Sequence, residues 1–341
     1  MGITNRYKIT EVDDPPYRID ERLLQRFDQR QTVFGRMLFD REASFYEKGM
    51  YDKAAEIIKK GEPGYSHLDF VRALGAWTVY DYFHGAFSPH KLEKANNMMP
   101  KPAFKKFPVT DPEAMSGEVK KTALLYGASG VGICRVDKRW IYSFNMDGIP
   151  LGIPDDFKYA VVLVIAMDYR AIETSPAYPA CIESGLCYSR MAFCVACLAE
   201  FIRYLGYKAL PMGNDTALSI PLAIDAGLGE LGRLGLLITP EYGPCVRLCK
   251  VFTDMPLSCD KPIRFGVTEF CKRCTRCADA CEVEAIQKTE EPTYDTVCPS
   301  NNQGILRWPV DHDKCYQFWI ENGGDCSRCI AACPFDPRKK K

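Results

Sequence analysis

Cysteine spacing near the C-terminus is the strongest chemical signal in the sequence. The run CKRCTRCADAC at residues 271–281 has the pattern C-x2-C-x2-C-x3-C, and DCSRCIAACP at residues 325–334 repeats its closing half. In two-cluster ferredoxins, the first three thiolates of such a run bind one 4Fe-4S cluster and the fourth binds the neighbouring cluster. The sequence therefore predicts two 4Fe-4S clusters.

The second cysteine group supplies only three thiolates, so its cluster needs one more ligand. Cys315, upstream of Cys326, is the expected source. Zinc is the alternative for C-x2-C pairs, but a run of four cysteines and a run of three exceed what one four-coordinate zinc ion needs. The last cysteine of each run is expected to bind the cluster of the other run, an exchange that we call the crossover. One cluster is then bound by Cys271, Cys274, Cys277 and Cys333, and the other by Cys281, Cys315, Cys326 and Cys329.

A glycine motif in the middle of the chain has the spacing of a dinucleotide-binding loop. Gly227, Gly229 and Gly232 match G-x-G-x-x-G, but that loop must follow a strand and open a helix. Here a helix-like segment precedes the motif and a strand-like segment follows it, so a nicotinamide site is not favoured. The glycines indicate either a backbone that approaches a ligand closely or a tight turn, and both readings stay open.

Composition excludes several classes of protein. The 341 residues include 44 basic and 44 acidic side chains, without the basic excess that is typical of nucleic-acid-binding proteins. The four histidines have no paired zinc spacing. The longest apolar run, residues 160–167, is far shorter than the ~20 residues of a membrane helix, and the first residues lack the pattern of an export signal. We therefore expect neither a nucleic acid partner nor a membrane span.

Three segments with different residue patterns position these motifs. Residues 1–115 combine polar helical patterns with a proline-rich stretch at 98–112, residues 116–264 alternate helices with buried strands, and residues 265–341 carry the cysteine groups. The alternation predicts an α/β core between two other domains. Helices are predicted at 44–60, 67–84, 113–126, 183–205 and 217–226, and strands at 131–136, 159–167, 207–210, 234–239 and 246–253.

Several longer stretches, in consistent order, resemble the corrinoid-dependent reductive dehalogenases. They are RFDQRQTVFGR from residue 26, PGYSHLDFVRALGAWTV from 63, RWIYS from 139, CYSRM from 187 and GNDTALSIPLAIDAGLGELGRLGLLITPEYGPCVRLCKVFTDMPL from 213. The resemblance implies an α+β or α/β fold, with a nitroreductase-like core that holds a cobalamin-type corrinoid base-off. A ferredoxin-like segment with two 4Fe-4S clusters would pack against that core.

Three polar side chains acquire roles from this resemblance. It implies that Tyr188 is the proton donor, Arg247 its cationic partner and Asn214 the third polar group of the pocket. Helical spacing places Tyr188 at the start of an inward face, and Arg247 interrupts an apolar strand face, where a charge needs a partner. The expected corrinoid contacts are Asp215, Thr216, Ser219, Gly227, Gly229 and Gly232, and the expected pocket aromatics are Trp319, Phe34 and Trp77.

The function that this resemblance implies is reductive removal of halide from an organohalide, with electrons delivered through the clusters to cobalt. An epoxyqueuosine reductase-like enzyme is one alternative, but balanced charge does not favour tRNA binding. A non-catalytic electron carrier or corrinoid-reactivating protein is another, but such a protein needs neither the N-terminal segment nor the three polar residues.

Partners and location are also expectations from the resemblance. The partners are a small halogenated substrate, an external electron donor, a small membrane anchor protein and a second copy of the chain. The sequence lacks the twin-arginine leader of the family. We expect a cytoplasmic protein as given, or an exocytoplasmic, membrane-associated one if a leader has been removed.

Overall fold

The computed structural model describes residues 7–80 and 106–340. The first half of the chain contains β1 (Thr10–Glu11), α1 (Val33–Phe39), α2 (Ala54–Lys59), α3 (His67–Ala76), α4 (Pro112–Leu125), β2 (Gly130–Arg135) and β3 (Tyr159–Ala166). The second half contains α5 (Tyr169–Glu173), α6 (Tyr178–Tyr204), β4 (Ala209–Met212), α7 (Ser219–Asp225), β5 (Glu230–Leu231), β6 (Leu237–Ile238), β7 (Val246–Thr253), β8 (Ile263–Arg264), α8 (Val267–Arg273), α9 (Arg276–Asp279), α10 (His312–Asn322) and α11 (Arg328–Ala332). Short 3-10 helices are Gln29–Gln31, Lys138–Trp140 and Pro337–Lys340.

A four-stranded sheet in the order β2–β3–β7–β4 forms the centre of the protein. All three strand pairs are antiparallel, so the predicted mixed helix and strand core is confirmed as an α+β arrangement. Apart from Arg247 and Lys250 on β7, the two central strands, β3 and β7, are apolar on both faces because helices or loops cover both faces. One face packs against α6 and the other against α7.

Helix α6 is the longest element and forms one wall of the core. Pro179 occupies its first turn, where proline costs no backbone hydrogen bond. Met191, Val195, Leu198 and Ile202 are buried at helical spacing and face the sheet, as predicted. By length and composition alone this helix could cross a membrane, but half of its apolar window is buried inside the protein. It serves here as the core helix.

Several contacts hold the N-terminal segment to the C-terminal part of the chain, and two of them involve a strand pair and a buried arginine. Strand β1 pairs with β8, with Thr10 opposite Arg264. Arg36 on α1 is buried and forms ion pairs with Asp40 and with Asp313 on α10. Such a buried arginine requires both carboxylates, because an unpaired charge in the interior is costly.

Several helix and domain boundaries in the structure differ from those that the sequence predicts. The helix predicted at 44–60 is wrong in its first part, since only α2 is helical and the turns before it include Glu47 at a positive φ of 54°. Helix α3 covers residues 67–76 of the helix predicted at 67–84, residues 78–80 are again helical after a turn at Trp77, and residues 81–84 lie outside the described part of the chain. Residues 98–105 of the predicted loop also lie outside it. The boundary after residue 115 falls inside α4, and the division into three domains stays a prediction.

Gly132 offers a test of the packing between β2 and α7. An added Cβ at this residue would lie 2.2 Å from the carbonyl oxygen of Ala226, so Gly132→Ala must push the strand and the helix end apart. Overpacking of this kind costs about 1–3 kcal/mol, and we expect a lower midpoint of thermal unfolding. The matched control is Gly152→Ala, because a Cβ there meets nothing within 4 Å. Equal midpoints for the two variants would contradict this packing.

Candidate functional site

The predicted cluster ligands lie in two groups of thiols. Burial, and then the neighbouring thiols of Cys326 and Cys281, raise the pKa of Cys315 to about 12. Burial together with the thiols of Cys315 and Cys326 likewise raises the pKa of Cys329 well above its usual value. The thiols of Cys281, Cys315, Cys326 and Cys329 therefore lie close enough to interact. Cys277 of the other expected set also interacts with Cys329, so the assignment of thiols to each cluster stays a prediction.

The other group is built by α8 and α9. Burial, and then the thiols of Cys271 and Cys274, raise the pKa of Cys277 to about 12. Cys333, the fourth expected ligand, is buried directly after α11. Buried thiols in close groups cannot ionise together unless cations compensate the charge, and metal binding supplies that compensation. Both groups thus fit the ligand chemistry of iron.

Hydrogen bonds to sulfur position two thiols of the group that contains Cys315. The backbone N–H of Ala285 donates to Sγ of Cys281 at 3.3 Å, and the hydroxyl of Ser175 donates to Sγ of Cys326 at 3.8 Å. The same hydroxyl oxygen accepts from the backbone N–H of Ser327 at 2.7 Å. Donors to cluster sulfur are one of the ways in which proteins set a reduction potential.

The three polar residues of the predicted pocket come together from three different elements. Tyr188 lies on α6, Asn214 lies in the loop after β4, and Arg247 lies on β7. Nδ2 of Asn214 donates to the phenolic oxygen of Tyr188 at 2.7 Å. The guanidinium carbon of Arg247 is 5.2 Å from the centroid of the Tyr188 ring, and its Nη2 donates to Oγ of Ser184 at 2.9 Å.

Two further aromatic rings surround Tyr188. The ring of Trp77 stacks on it, with centroids 4.7 Å apart, and the ring of Tyr80 meets it edge-on at 4.9 Å. Gly185, one turn before Tyr188, makes room for the indole, because a Cβ there would lie 2.8 Å from Cδ1 of Trp77. Trp77 therefore lies against Tyr188, and its contact with a substrate stays a prediction.

Phe34 and Trp319, the other two expected pocket aromatics, belong to another aromatic group. Their ring centroids lie 6.2 Å apart, and both rings contact Tyr316 on α10. Phe34 is exposed, so it is accessible from solvent. Their contact with a substrate stays a prediction.

Two buried donors beside Tyr188 have no acceptor among the described residues. They are Nε of Arg247 and Nε1 of Trp77, and the indole N–H is turned towards the phenol of Tyr51. A buried N–H without a partner costs about 1–3 kcal/mol, so such groups usually serve a bound molecule or water. Together with the phenol of Tyr188, Nε of Arg247 gives the site a polar atom that a ligand could contact.

The loop that presents Asn214 is held by a lysine that the sequence interpretation missed. Lys250 on β7 is completely buried, and its Nζ donates to the carbonyl oxygens of Gly213 and Asp215 and to Oγ of Ser219, at 2.7, 3.1 and 3.0 Å. Burial lowers the pKa of Lys250 to about 8. The signal was a charged residue inside the apolar strand VRLCKVFT.

The expected corrinoid contacts in this loop also stabilise the loop itself. The carboxylate of Asp215 accepts from the backbone N–H of Gly213 at 2.9 Å and from Oγ1 of Thr216 at 2.8 Å. Thr216 has a positive φ of 67°, an uncommon conformation for a β-branched residue. The side chain of Ser219 is engaged by Lys250. Corrinoid contacts of these residues stay predictions.

The glycine motif follows α7 and enters the hairpin of β5 and β6. A Cβ on Gly229 would lie 2.1 Å from the carbonyl oxygen of Ile238, and one on Gly227 would lie 2.4 Å from that of Lys261. A Cβ on Gly232 would lie 2.8 Å from the side chain of Ile238. Close packing within the chain accounts for all three glycines, and their contact with a corrinoid stays a prediction.

Comparison with known proteins defines first the class and then the family. Residues 270–336 match the family of 4Fe-4S dicluster domains, so the chain is an iron–sulfur protein with two 4Fe-4S clusters. It is 40% identical over 257 residues to the tetrachloroethene reductive dehalogenase of Sulfurospirillum multivorans, and 33% identical over 380 residues to that of Desulfitobacterium hafniense. These matches cover 66% and 90% of this chain. The chain belongs to the reductive dehalogenase family.

The solved structures agree with this assignment. A reductive dehalogenase structure, described as suggesting a mechanism for B12-dependent dehalogenation, is 25% identical and superposes on 96% of this chain with a TM-score of 0.74. The chain spans 51% and 69% of the lengths of the two dehalogenases above and 44% of the solved chain. An epoxyqueuosine reductase of Lactococcus garvieae is similar over only 80 residues, at 36% identity.

Cys315 provides a test of the ligand assignment. Its thiol lies near those of Cys326 and Cys281, so we expect Cys315→Ala to lose or convert one cluster and to leave the other intact. The iron content of the anaerobically prepared protein should fall from about eight towards four per chain, by the ligand count of two cubanes. The matched control is Cys298→Ala, because the Cys298 thiol lies beside the carboxylates of Asp311 and Asp313. Loss of iron in the control and not in Cys315→Ala would show the assignment to be wrong.

Proposed function

We propose that this protein is an oxidoreductase that removes halide from an organic halide by two-electron reduction. The reaction consumes two electrons and one proton, and it yields halide and a product with hydrogen in place of the halogen. The observation that carries the proposal is the contact between Tyr188, Asn214 and Arg247 in a chain of this family. These residues form a site for delivering the proton.

A cobalt corrinoid is the cofactor that we propose for the pocket, because a solved relative is described as B12-dependent. When bound, such a cofactor supplies the reducing metal centre, and the protein supplies binding and orientation. The buried Nε of Arg247 and the loop held by Lys250 are the groups of this chain that would face it. The eight cysteines would hold the two clusters that connect the site with an external electron donor.

The geometry around Tyr188 suits a general acid. Asn214 donates to the phenolic oxygen, which leaves the O–H free to donate towards a substrate. After the proton has left, the amide N–H and the guanidinium of Arg247 would both stabilise the phenolate. Trp77 and Tyr80 cover the ring and keep it in position.

The decisive experiment is an anaerobic turnover assay with chemically reduced viologen as electron donor. The substrates are chlorinated and brominated alkenes, alkanes and phenols, and the measurement is halide release together with the dehalogenated product. A tRNA that carries epoxyqueuosine serves as a second substrate arm. We expect turnover with organohalides; reaction with the tRNA alone, or with neither, would refute the proposed function.

Metal content tests the cofactor proposal separately. Two sets of four thiolates predict about eight irons per chain, and a bound corrinoid predicts about one cobalt in addition. Zinc should be absent. Elemental analysis of protein produced anaerobically with added corrinoid is the measurement. About four irons, or no cobalt after corrinoid supplementation, would contradict the proposed cofactor set.

Tyr188→Phe removes one hydroxyl from a ring that still packs between Trp77 and Tyr80. We expect both clusters and the corrinoid to remain bound, and the rate of dehalogenation to fall by about 10²- to 10⁴-fold, as for other positioned general acids. The matched control is Tyr204→Phe, which removes an exposed hydroxyl from the same helix and should change nothing. Undiminished activity of Tyr188→Phe with full cofactor would reduce Tyr188 to a packing role.

Arg247 should show a graded response in the same assay. Arg247→Lys keeps the charge and loses the planar fork that reaches Ser184, so we expect slower turnover. Arg247→Met should be slower still, because no cation then remains over the ring of Tyr188 to stabilise the phenolate. Equal rates for the Lys and Met variants would show that charge is not what Arg247 contributes.

A further inference from the structure

Arg233 is a completely buried arginine whose side chain reaches the ligands of one cluster. It lies in the turn between β5 and β6, beyond the glycine motif. Its Nε donates to the carbonyl oxygens of Cys271 and Cys274 at 3.1 and 3.0 Å, and its Nη2 donates to that of Cys271 at 2.5 Å. The guanidinium therefore contacts the backbone of two expected cluster ligands, at the C-terminal end of α8.

The remaining donors of Arg233 hold a second piece of backbone. Nη1 donates to the carbonyl oxygens of Gln287 and Thr289 at 2.7 and 2.8 Å. The guanidinium carbon also lies 4.6 Å from the centroid of the Trp308 ring. All the hydrogen bonds of this side chain in the described part of the chain end on neutral carbonyl oxygens.

Arg233 has no direct ionic partner in the described part of the chain, and the carboxylate of Asp279, whose pKa its charge helps to lower, is exposed and pairs with Lys288. Its guanidinium forms no salt bridge with a carboxylate of residues 7–80 or 106–340. A buried cation is costly unless an anion compensates it, and carbonyl dipoles compensate it only in part. Among the groups near Arg233, the thiols of Cys271 and Cys277 are the ones that become anionic on binding iron.

The thiols expected to bind the other cluster, Cys281, Cys315, Cys326 and Cys329, have a different electrostatic environment. Arg328 is the arginine near Cys326, but it is partly exposed and forms a salt bridge with Glu282. Its charge is therefore screened by solvent and neutralised by its partner. The first cluster thus lies beside a buried cation without a salt bridge among the described residues, and the other lies beside a partly exposed cation that is paired with Glu282.

We propose that Arg233 is a redox-tuning residue that raises the reduction potential of the cluster bound by Cys271, Cys274, Cys277 and Cys333. Reduction adds one electron from the external donor to that cluster, and no bond forms or breaks. A fixed cation stabilises the reduced cluster more than the oxidised one, because the reduced cluster is more negative by one charge. The inference rests on the dicluster domain and is independent of which substrate is reduced.

The test is a potentiometric titration of the anaerobic protein, followed by electron paramagnetic resonance. Arg233→Gln removes the charge and keeps an amide that can donate to carbonyl oxygens. We expect its equilibrium constant for reduction of one cluster to fall at least tenfold, which for one electron is a shift of about 59 mV to lower potential. The other cluster should keep the wild-type potential.

Two further variants separate charge from structure. Arg233→Lys keeps the charge and loses the fork, so the potential of its cluster should stay within tenfold of wild type in the equilibrium constant. Arg328→Gln is the matched control and should leave the potential of the first cluster unchanged, because that arginine lies near the other cluster.

Unchanged potentials in Arg233→Gln, with about eight irons bound, would overturn the proposal. Equal shifts in Arg233→Gln and Arg233→Lys would also overturn it, since charge would then not be the cause. Loss of a cluster in Arg233→Gln would assign Arg233 to cluster assembly in place of tuning. The titration needs neither corrinoid nor halide, so a failure of the proposed dehalogenation leaves its outcome valid.

Discussion

The packing of helix α6 on strand β7 is the contact on which the rest of the structure depends. It buries the apolar face that includes Met191 and Val195 against the sheet, and it fixes Tyr188 relative to Arg247. On the opposite face of the same strand, Lys250 holds the loop that carries Asn214. One central strand thus positions two polar residues of the pocket, one directly and one through a buried lysine. Precise placement of this kind comes more readily from a sheet than from a loop.

Much of this arrangement could be predicted from local patterns. Strand β7 has the bounds that its apolar run predicts, and the inward face of α6 follows the spacing of its buried residues. The cysteine runs likewise predict a domain with two 4Fe-4S clusters, which the family match confirms, and the assignment of thiols to each cluster stays a prediction. Patterns succeed here because burial repeats with a fixed period along a helix or strand, and a cluster fixes the distances between its ligands.

Contacts between segments that are far apart in the sequence could not be predicted from such local patterns. Lys250 appears in the sequence as a lysine within an apolar strand, and nothing local indicates that its partners are the backbone of Gly213 and Asp215. The contacts of Arg233 could not be predicted either, because its partners are backbone carbonyl groups, which every residue has. The aromatic residues Phe34 and Trp319 were assigned by resemblance, whereas their position depends on how α1 packs on α10.

The pairing of β1 with β8 has a consequence for how the chain assembles. It joins residues about 250 positions apart, and β8 immediately precedes the helix that carries Cys271. Contacts of such long range form slowly during folding, because the entropy of closing the loop must be overcome first. Both strands are synthesised before Cys326, Cys329 and Cys333, the last of the expected cluster ligands. Completion of both clusters therefore comes after the two strands are available to pair.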